Sequence, residues 1–506
     1  MSLVESFIRT AKAHAGKLAI VDRAMGHRMT YRAALTRALI LERRFREFDP
    51  GLIGVMVPSS AGAILSVVVA VMSGRTPVMI NFTTGAARNC EMAQRRLGFR
   101  TIVTSRALLA RLKCPEVDGM VFLEDLAAGV SALDKIIGFA RSSMSADTLC
   151  RSLHAPKPDD HAVVLFTSGS EREPKAVPLT HRNILANIEG LHGVLEYGQK
   201  DVILGNLPLF HVFGFNVNLW LPLVNAMTIV TYPSPLEFRA VCAAVREERV
   251  TMMMGTPTFL WGYLQKSEPG DFRSVRLLIT GADRCPEPLR RGYWEQHQVA
   301  LIEGYGTTET SPVISVNAPE KNRPGSVGRI LPNVEVRIEH FETGEACGSN
   351  QVGKVLVKGD SVMSGYFDDF EATALRMRHG WYDTGDMGYV DDDGYLWHAG
   401  RLGRFVKIGG EMVSLGQVQD VLERMLPEGV GAAIVDVADV VRGSRIVAVV
   451  TEGVDERDLL RRMGGELPRI AVPSRFVVVP EIPRMSSGKI DYRTLTDAVR
   501  QLVLKT

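Results

Sequence analysis

Residues 167–175 read Thr-Ser-Gly-Ser-Glu-Arg-Glu-Pro-Lys, so three hydroxyl side chains, one glycine and a lysine follow directly on the apolar run 163–166. Hydroxyls and exposed N–H groups donate to anionic oxygens, and a lysine adds a compact positive charge, so the segment suits a phosphate. It is not a Walker A loop, because G-x-x-x-x-G-K-[ST] is absent and the stretch holds a single glycine. Taken alone, the same composition also describes a solvated turn.

The elements around it set where the loop stands. The apolar run delivers the loop from a strand, and Thr180 stands as N-cap of a helix whose Ile184, Ile188 and Leu191 share one face. Upstream, 51–58, 76–82 and 101–105 read as strands separated by helical segments at 61–74 and 86–98. That βαβ rhythm predicts a largely parallel sheet covered by helices. The apolar segments within 201–209, 226–233, 249–257 and 274–282 continue it as buried strands, with a helix at 238–248. Glycine-rich stretches between 324 and 398 predict short antiparallel strands and turns. Beyond about residue 400 a smaller region carries strand candidates at 430–439 and 444–453 and a helix at 455–467.

Composition bounds the function. The chain has 506 residues, enough for one large core and a smaller domain. Its net charge of +2 gives no electrostatic reason to expect nucleic acid. Six scattered cysteines form no CxxC pair, which predicts reduced thiols in a cytoplasmic setting. The N-terminal residues are unlike a signal peptide, and 61–74 is too short to span a bilayer and reads as a buried helix. Peripheral membrane contact stays open.

Read together, the loop and five further blocks resemble the ANL adenylate-forming superfamily, which includes acyl-CoA synthetases, luciferases and peptide-synthetase adenylation domains. The blocks are PLFHVFG (208–214), ITGAD (279–283), GYGTTET (304–310), GWYDTGDMG (380–388) with HAGRLGRFVKIGGEMVS (398–414), and PRMSSGKIDY (483–492). The resemblance implies an α/β fold: a large N-terminal adenylation domain, 1–400, of α/β subdomains plus a β-rich subdomain, and a small mobile α+β C-terminal domain, 401–506. It implies ATP and Mg²⁺ as cofactors. Thr167, Ser168, Gly169, Ser170 and Lys175 then cradle polyphosphate, and Gly281, Ala282, Tyr305 and Gly306 form the adenine side. Thr308 touches the α-phosphate, and Glu309 holds Mg²⁺, as a hard carboxylate suits that ion. Asp386 and Arg401 take the ribose, His211 lines the acyl site, and Lys489 stabilises charge as the carboxylate attacks the α-phosphate. Gly403 is the implied hinge, and Gly409, Gly410 and Glu411 line a thiol tunnel. This chain departs from the usual loop at Glu171 and Arg172, where relatives carry threonine and glycine; Glu171 is expected to point away from phosphate.

Within the superfamily, YPSP (232–235), GTPTFL (255–260) and RFVKIGGEMVSL (404–415) look most like the acyl-acyl carrier protein synthetase portion of bacterial 2-acylglycerophosphoethanolamine acyltransferases, without the acyltransferase domain. That implies a medium- or long-chain fatty acid as substrate and holo-acyl carrier protein as acceptor, with coenzyme A the alternative. Phe213, Phe215 and Trp220 are candidates for the acyl wall, though aromatics so spaced also suit plain core. Arg401, Arg404 and Lys407 are candidates for a basic rim toward an acidic carrier. A non-catalytic nucleotide-binding protein is the rival from another class, and it has no use for Lys489.

Overall fold

The computed structural model describes the chain except residues 154–155, 168–173, 409–410, 428, 440–442, 485–489 and 505–506, and gives backbone alone at 407, 411–412, 443 and 503–504. Two compact units emerge: Met1–Thr167 with Pro174–Glu335 and Lys358–Gly380, and Val336–Val357 with Trp381–Thr506.

The first unit is built on two sheets. One has six strands, in which Gly51–Val55, Arg75–Met79, Ile102–Thr104, Met120–Phe122 and His161–Phe166 run parallel, and Ala176–Thr180 returns antiparallel beside His161–Phe166. The expected parallel sheet is there, and the antiparallel return makes the phosphate-loop candidate a hairpin connection. The other sheet has nine strands, with Val202–Gly205, Thr228–Thr231, Met252–Gly255, Leu277–Thr280 and Leu301–Gly306 parallel at its centre. Its strands read as unbroken apolar runs because both faces are covered: Met252, Met253 and Met254 are all buried. Leu18–Asp22 joins this sheet beside Thr228–Thr231, a pairing between distant parts of the chain.

The apolar helix Ala61–Met72 is buried on almost every side, with Ser60 Oγ accepting from Ala63 N at its start. Thr180 caps helix His181–His192 as its spacing implies, its side chain accepting from Asn183 N at 3.1 Å; such a cap is worth roughly 1 kcal/mol.

In the second unit, strand Trp381–Val390 pairs antiparallel with Gly353–Gly359 and with Leu396–Arg401. Strands Ala432–Asp439, Gly443–Val450 and Arg475–Val478 form a separate sheet. Its period-two pattern splits two cores. Ala432, Ile434 and Ala448 face helices Leu415–Met425 and Glu456–Glu466, while Ala433, Val435 and Val447 face helix Tyr492–Leu504.

Candidate active site

The described ends of the 167–175 loop are tied together. Thr167 N donates to Lys175 O at 2.9 Å, and Lys175 N donates to Thr167 Oγ1 at 3.0 Å. Ser168, Gly169 and Ser170, together with Glu171 and Arg172, lie outside the described residues. From the neck of this hairpin, Lys175 Nζ sits 4.6 Å from the centroid of the Tyr366 ring. Tyr366 in turn donates its hydroxyl to Glu309 Oε1 at 2.8 Å. One tyrosine thus joins two residues that the sequence assigns separately to phosphate and metal.

Glu309 is buried in the short 3₁₀ turn Thr308–Thr310, which follows strand Leu301–Gly306. Several contacts hold that turn rigid. Thr307 N donates to Thr310 Oγ1 and to Pro312 O, both at 3.1 Å, and Met363 N donates to Glu309 O at 2.8 Å. Buried Asn187 clamps the exit, donating to Val313 O at 2.7 Å and accepting from Val313 N at 3.3 Å. At Gly306 an added Cβ would lie 1.8 Å from Pro312 O, so only glycine permits this approach. Among the described residues no three His, Cys, Asp or Glu side chains converge as a metal cage. One buried carboxylate among hydroxyls fits a magnesium ion whose remaining ligands come from phosphates and water.

Next to this turn the parallel sheet ends in small residues. Gly281 N donates to Gly255 O at 3.3 Å, and a Cβ at Gly281 would meet Gly304 O at 3.3 Å and the Phe213 ring at 3.8 Å. Ala282 is exposed and holds φ +69, a left-handed backbone that costs a non-glycine residue roughly 1–2 kcal/mol. Backbone strain of this kind gathers at ligand sites. His211 is half-buried at the start of helix Val212–Phe215, its ring 4.6 Å from that of Phe210. Phe213 lines this region, whereas Phe215 and Trp220 are wholly buried in the core, which is the plainer of their two readings. Tyr305 and Thr308 are half-buried beside Gly306 and Glu309.

In the second unit, Asp386 and Arg401 are direct partners across the antiparallel strands, with Arg401 Nε 3.4 Å from Asp386 Oδ1. His398, which the sequence reading passed over, places Nε2 at 3.7 Å from the same oxygen. Asp386 is buried and its N–H donates to Thr384 Oγ1 at 3.0 Å, while Arg401 stays half exposed. Gly403 is exposed within the short turn Leu402–Arg404. Arg404 corrects an expectation. Instead of lining a basic rim, it donates to Ile434 O at 2.7 Å and Gln419 Oε1 at 3.1 Å and stacks 3.5 Å over the Tyr492 ring. Burial pulls its guanidinium below the ordinary value. The side chains of Lys407 and Glu411 are not described, and Gly409, Gly410 and Lys489 lie outside the described residues.

All six cysteines are free, and burial pushes the thiols of Cys90, Cys242 and Cys285 up to about 12.

Residues 7–367 match the family described as AMP-binding enzyme, and residues 424–489 match the AMP-binding enzyme C-terminal domain. The chain is 32% identical over 358 residues to the indoleacetate–CoA ligase of Aromatoleum aromaticum, covering 69% of this chain and 68% of that protein. It is 33% identical over 364 residues to the long-chain-fatty-acid–CoA ligase of Bacillus subtilis, covering 68% of this chain and 63% of that protein. Its fold is like that of ATP-bound MatB from Rhodopseudomonas palustris, with TM-score 0.85, 24% identity, and 99% and 100% of the two chains covered.

The chain belongs to the AMP-binding enzyme family and has its two-domain adenylate-forming fold. It is an ATP-dependent, adenylate-forming acid–thiol ligase. The two relatives named here are CoA ligases, so they lend no support to the carrier-protein acceptor that the sequence resemblance implied.

Proposed function

We propose that this protein activates an apolar-bodied carboxylic acid, first of all a medium- or long-chain fatty acid, and transfers the acyl group to coenzyme A. The Lys175–Tyr366–Glu309 arrangement, a phosphate-type lysine and a metal-type carboxylate joined through one ring, supports the nucleotide chemistry, and likeness to CoA ligases for indoleacetate and long-chain fatty acids carries the choice of acid and acceptor. The carboxylate oxygen attacks the α-phosphorus of ATP, forming the acyl-phosphate bond and releasing pyrophosphate. The thiol sulfur then attacks the acyl carbon, the C–O bond to AMP breaks, and the thiol proton goes to solvent.

In this reading Thr167, Ser168, Gly169, Ser170 and Lys175 hold the β- and γ-phosphates. Glu309 holds Mg²⁺, which offsets phosphate charge when bound. Gly281, Ala282, Tyr305 and Gly306 flank adenine, Thr308 donates to the α-phosphate, Asp386 accepts from the ribose hydroxyls, and Arg401 donates to them. His211 and Phe213 border the acid. Gly281, beside the Phe213 ring and close to Gly304 O, supports an apolar substrate.

Residues 401–506 act as the domain that turns between the two half-reactions. Anchorage on either side supports Gly403 as the pivot, since Arg401 is held by Asp386 and Arg404 by Gln419, Ile434 and Tyr492. Lys489 serves the first half-reaction, while Gly409, Gly410 and Glu411 border the thiol in the second. Lys489→Ala therefore abolishes acyl-adenylate formation but retains transfer from supplied acyl-adenylate to thiol. Loss of both steps together would contradict that division.

The acceptor and acid are tested in one reaction with ATP, Mg²⁺, a series of saturated acids plus indoleacetate, and equal amounts of coenzyme A and holo-acyl carrier protein. Mass spectrometry is expected to find acyl-CoA formed from an apolar acid. Dominant acyl-carrier protein would overturn the acceptor, and preference for acetate would overturn the acid class.

A further inference from the structure

Helix Ala132–Ser143 is packed inside out. Its buried positions are Asp134, Gly138 and Ser142, which recur every four residues and face helix Tyr31–Phe45. The approach is close: a Cβ at Gly138 would meet Ile40 Cγ1 at 2.3 Å. Asp134 is held from that helix by Arg43 at 3.4 Å and Arg44 at 3.3 Å. The large apolar side chains point the other way. Leu133, Ile136 and Phe139 are 61%, 66% and 64% exposed, and Met144 follows at 39%. At 100° per residue these three share one face with Ala132, Ala140 and Ser143, and that face carries no acidic residue. Other exposed large apolar residues among those described are scattered, and scattered ones need no explanation. A continuous ridge of three does.

Charge identifies what covers the ridge. Helices Leu3–Ala13, Tyr31–Phe45, Ala132–Ser143 and Ala146–Ser152 together carry nine Lys and Arg against four Asp and Glu, a net +5 in a chain whose total is +2. Lys135 is exposed at the ridge's edge. A second copy meeting this region symmetrically would bring two net-positive groups of helices together, which disfavours self-association. A ridge of apolar tips with Lys135 at its edge, on a group of helices of net positive charge, matches instead the interface of an anionic bilayer, where the tips enter the acyl boundary and the positive field attracts headgroups.

We propose that helix Ala132–Ser143 is a peripheral attachment site for anionic lipid membranes. The proposal is independent of which acid or thiol the enzyme uses.

The test is co-sedimentation of the full chain with phosphatidylcholine vesicles with and without phosphatidylglycerol, alongside Ile136→Ser/Phe139→Ser and Lys135→Glu. Wild type is expected to bind the phosphatidylglycerol vesicles, less at high salt, and the double variant to bind roughly tenfold more weakly. Because the substituted side chains are exposed, the thermal midpoint should not move. Phe139→Trp should give fluorescence quenched by brominated lipid in those vesicles. Unchanged binding by the double variant, or an unquenched indole signal from vesicle-bound Phe139→Trp protein, would overturn the site. A wild-type dimer that the double variant dissociates, without vesicle binding, would assign the ridge to a second copy instead.

Discussion

The two carboxylates assigned to the nucleotide are built differently. Glu309 is buried in a turn whose backbone is clamped by Asn187, Pro312 and Met363, and Tyr366 donates to it. Asp386 is equally buried, yet it lies beside Arg401, half exposed, and His398, one-third exposed. A phenol hydroxyl orients a carboxylate without supplying a rival cation. A carboxylate beside a solvent-facing guanidinium has a partner whose exposed end is within reach of a ligand. The first arrangement suits charge that must be offset during reaction, and the second suits neutral hydroxyls that must be bound and released.

The sharpest way to break this contrast is to neutralise each carboxylate in turn. Glu309→Gln is expected to lower the rate of acyl-adenylate formation by roughly 10²–10³-fold, with more Mg²⁺ needed for half-maximal rate. Asp386→Asn should act mainly on ATP binding, raising its KM by roughly tenfold or more with a smaller change in kcat. Equal kcat losses in both would show that the two sites do not divide the work. Tyr366→Phe removes one hydrogen bond to Glu309 while leaving the ring beneath Lys175, so a loss of roughly three- to tenfold is expected in kcat/KM. No change would mean that Tyr366 does not position the carboxylate.

A smaller effect concerns stability away from the nucleotide. His181 is fully buried, its Nδ1 accepts from Leu3 N at 3.4 Å, and burial lowers its pKa from 6.5 to about 4. The unfolded chain takes up this proton first, so the contribution is complete above pH 6.5 and is lost as pH falls from 6.5 toward 4. The loss is on the order of 3 kcal/mol. Urea midpoints against pH should show that slope in wild type and a reduced one in His181→Gln.

Much of the fold was legible because its signals are local. Apolar runs at 252–255 and 277–280 are strands with both faces buried, and the alternation within 432–437 reports a sheet between two cores. The site blocks were legible as short motifs whose roles follow from chemical type. What escaped depends on contacts distant in the chain. Tyr366, in an unremarked SGYFDD stretch, acquires its role only when the backbone brings it to Lys175 and Glu309. Arg404 reads as a solvated loop cation until Gln419, Ile434 and Tyr492 close around it. Pairing of Leu18–Asp22 with Thr228–Thr231 has no local signature either. The ridge on helix Ala132–Ser143 looks in sequence like an ordinary amphipathic stripe, and only the packing of Gly138 on Ile40 shows which way it faces.

The most direct test of two-step chemistry is exchange of labelled pyrophosphate into ATP by the wild-type protein, with Mg²⁺ and each acid of the series but no thiol. Acid-dependent exchange without coenzyme A is the predicted result, because the adenylate forms before the thiol enters. Exchange that appears only when a thiol is added would contradict the account.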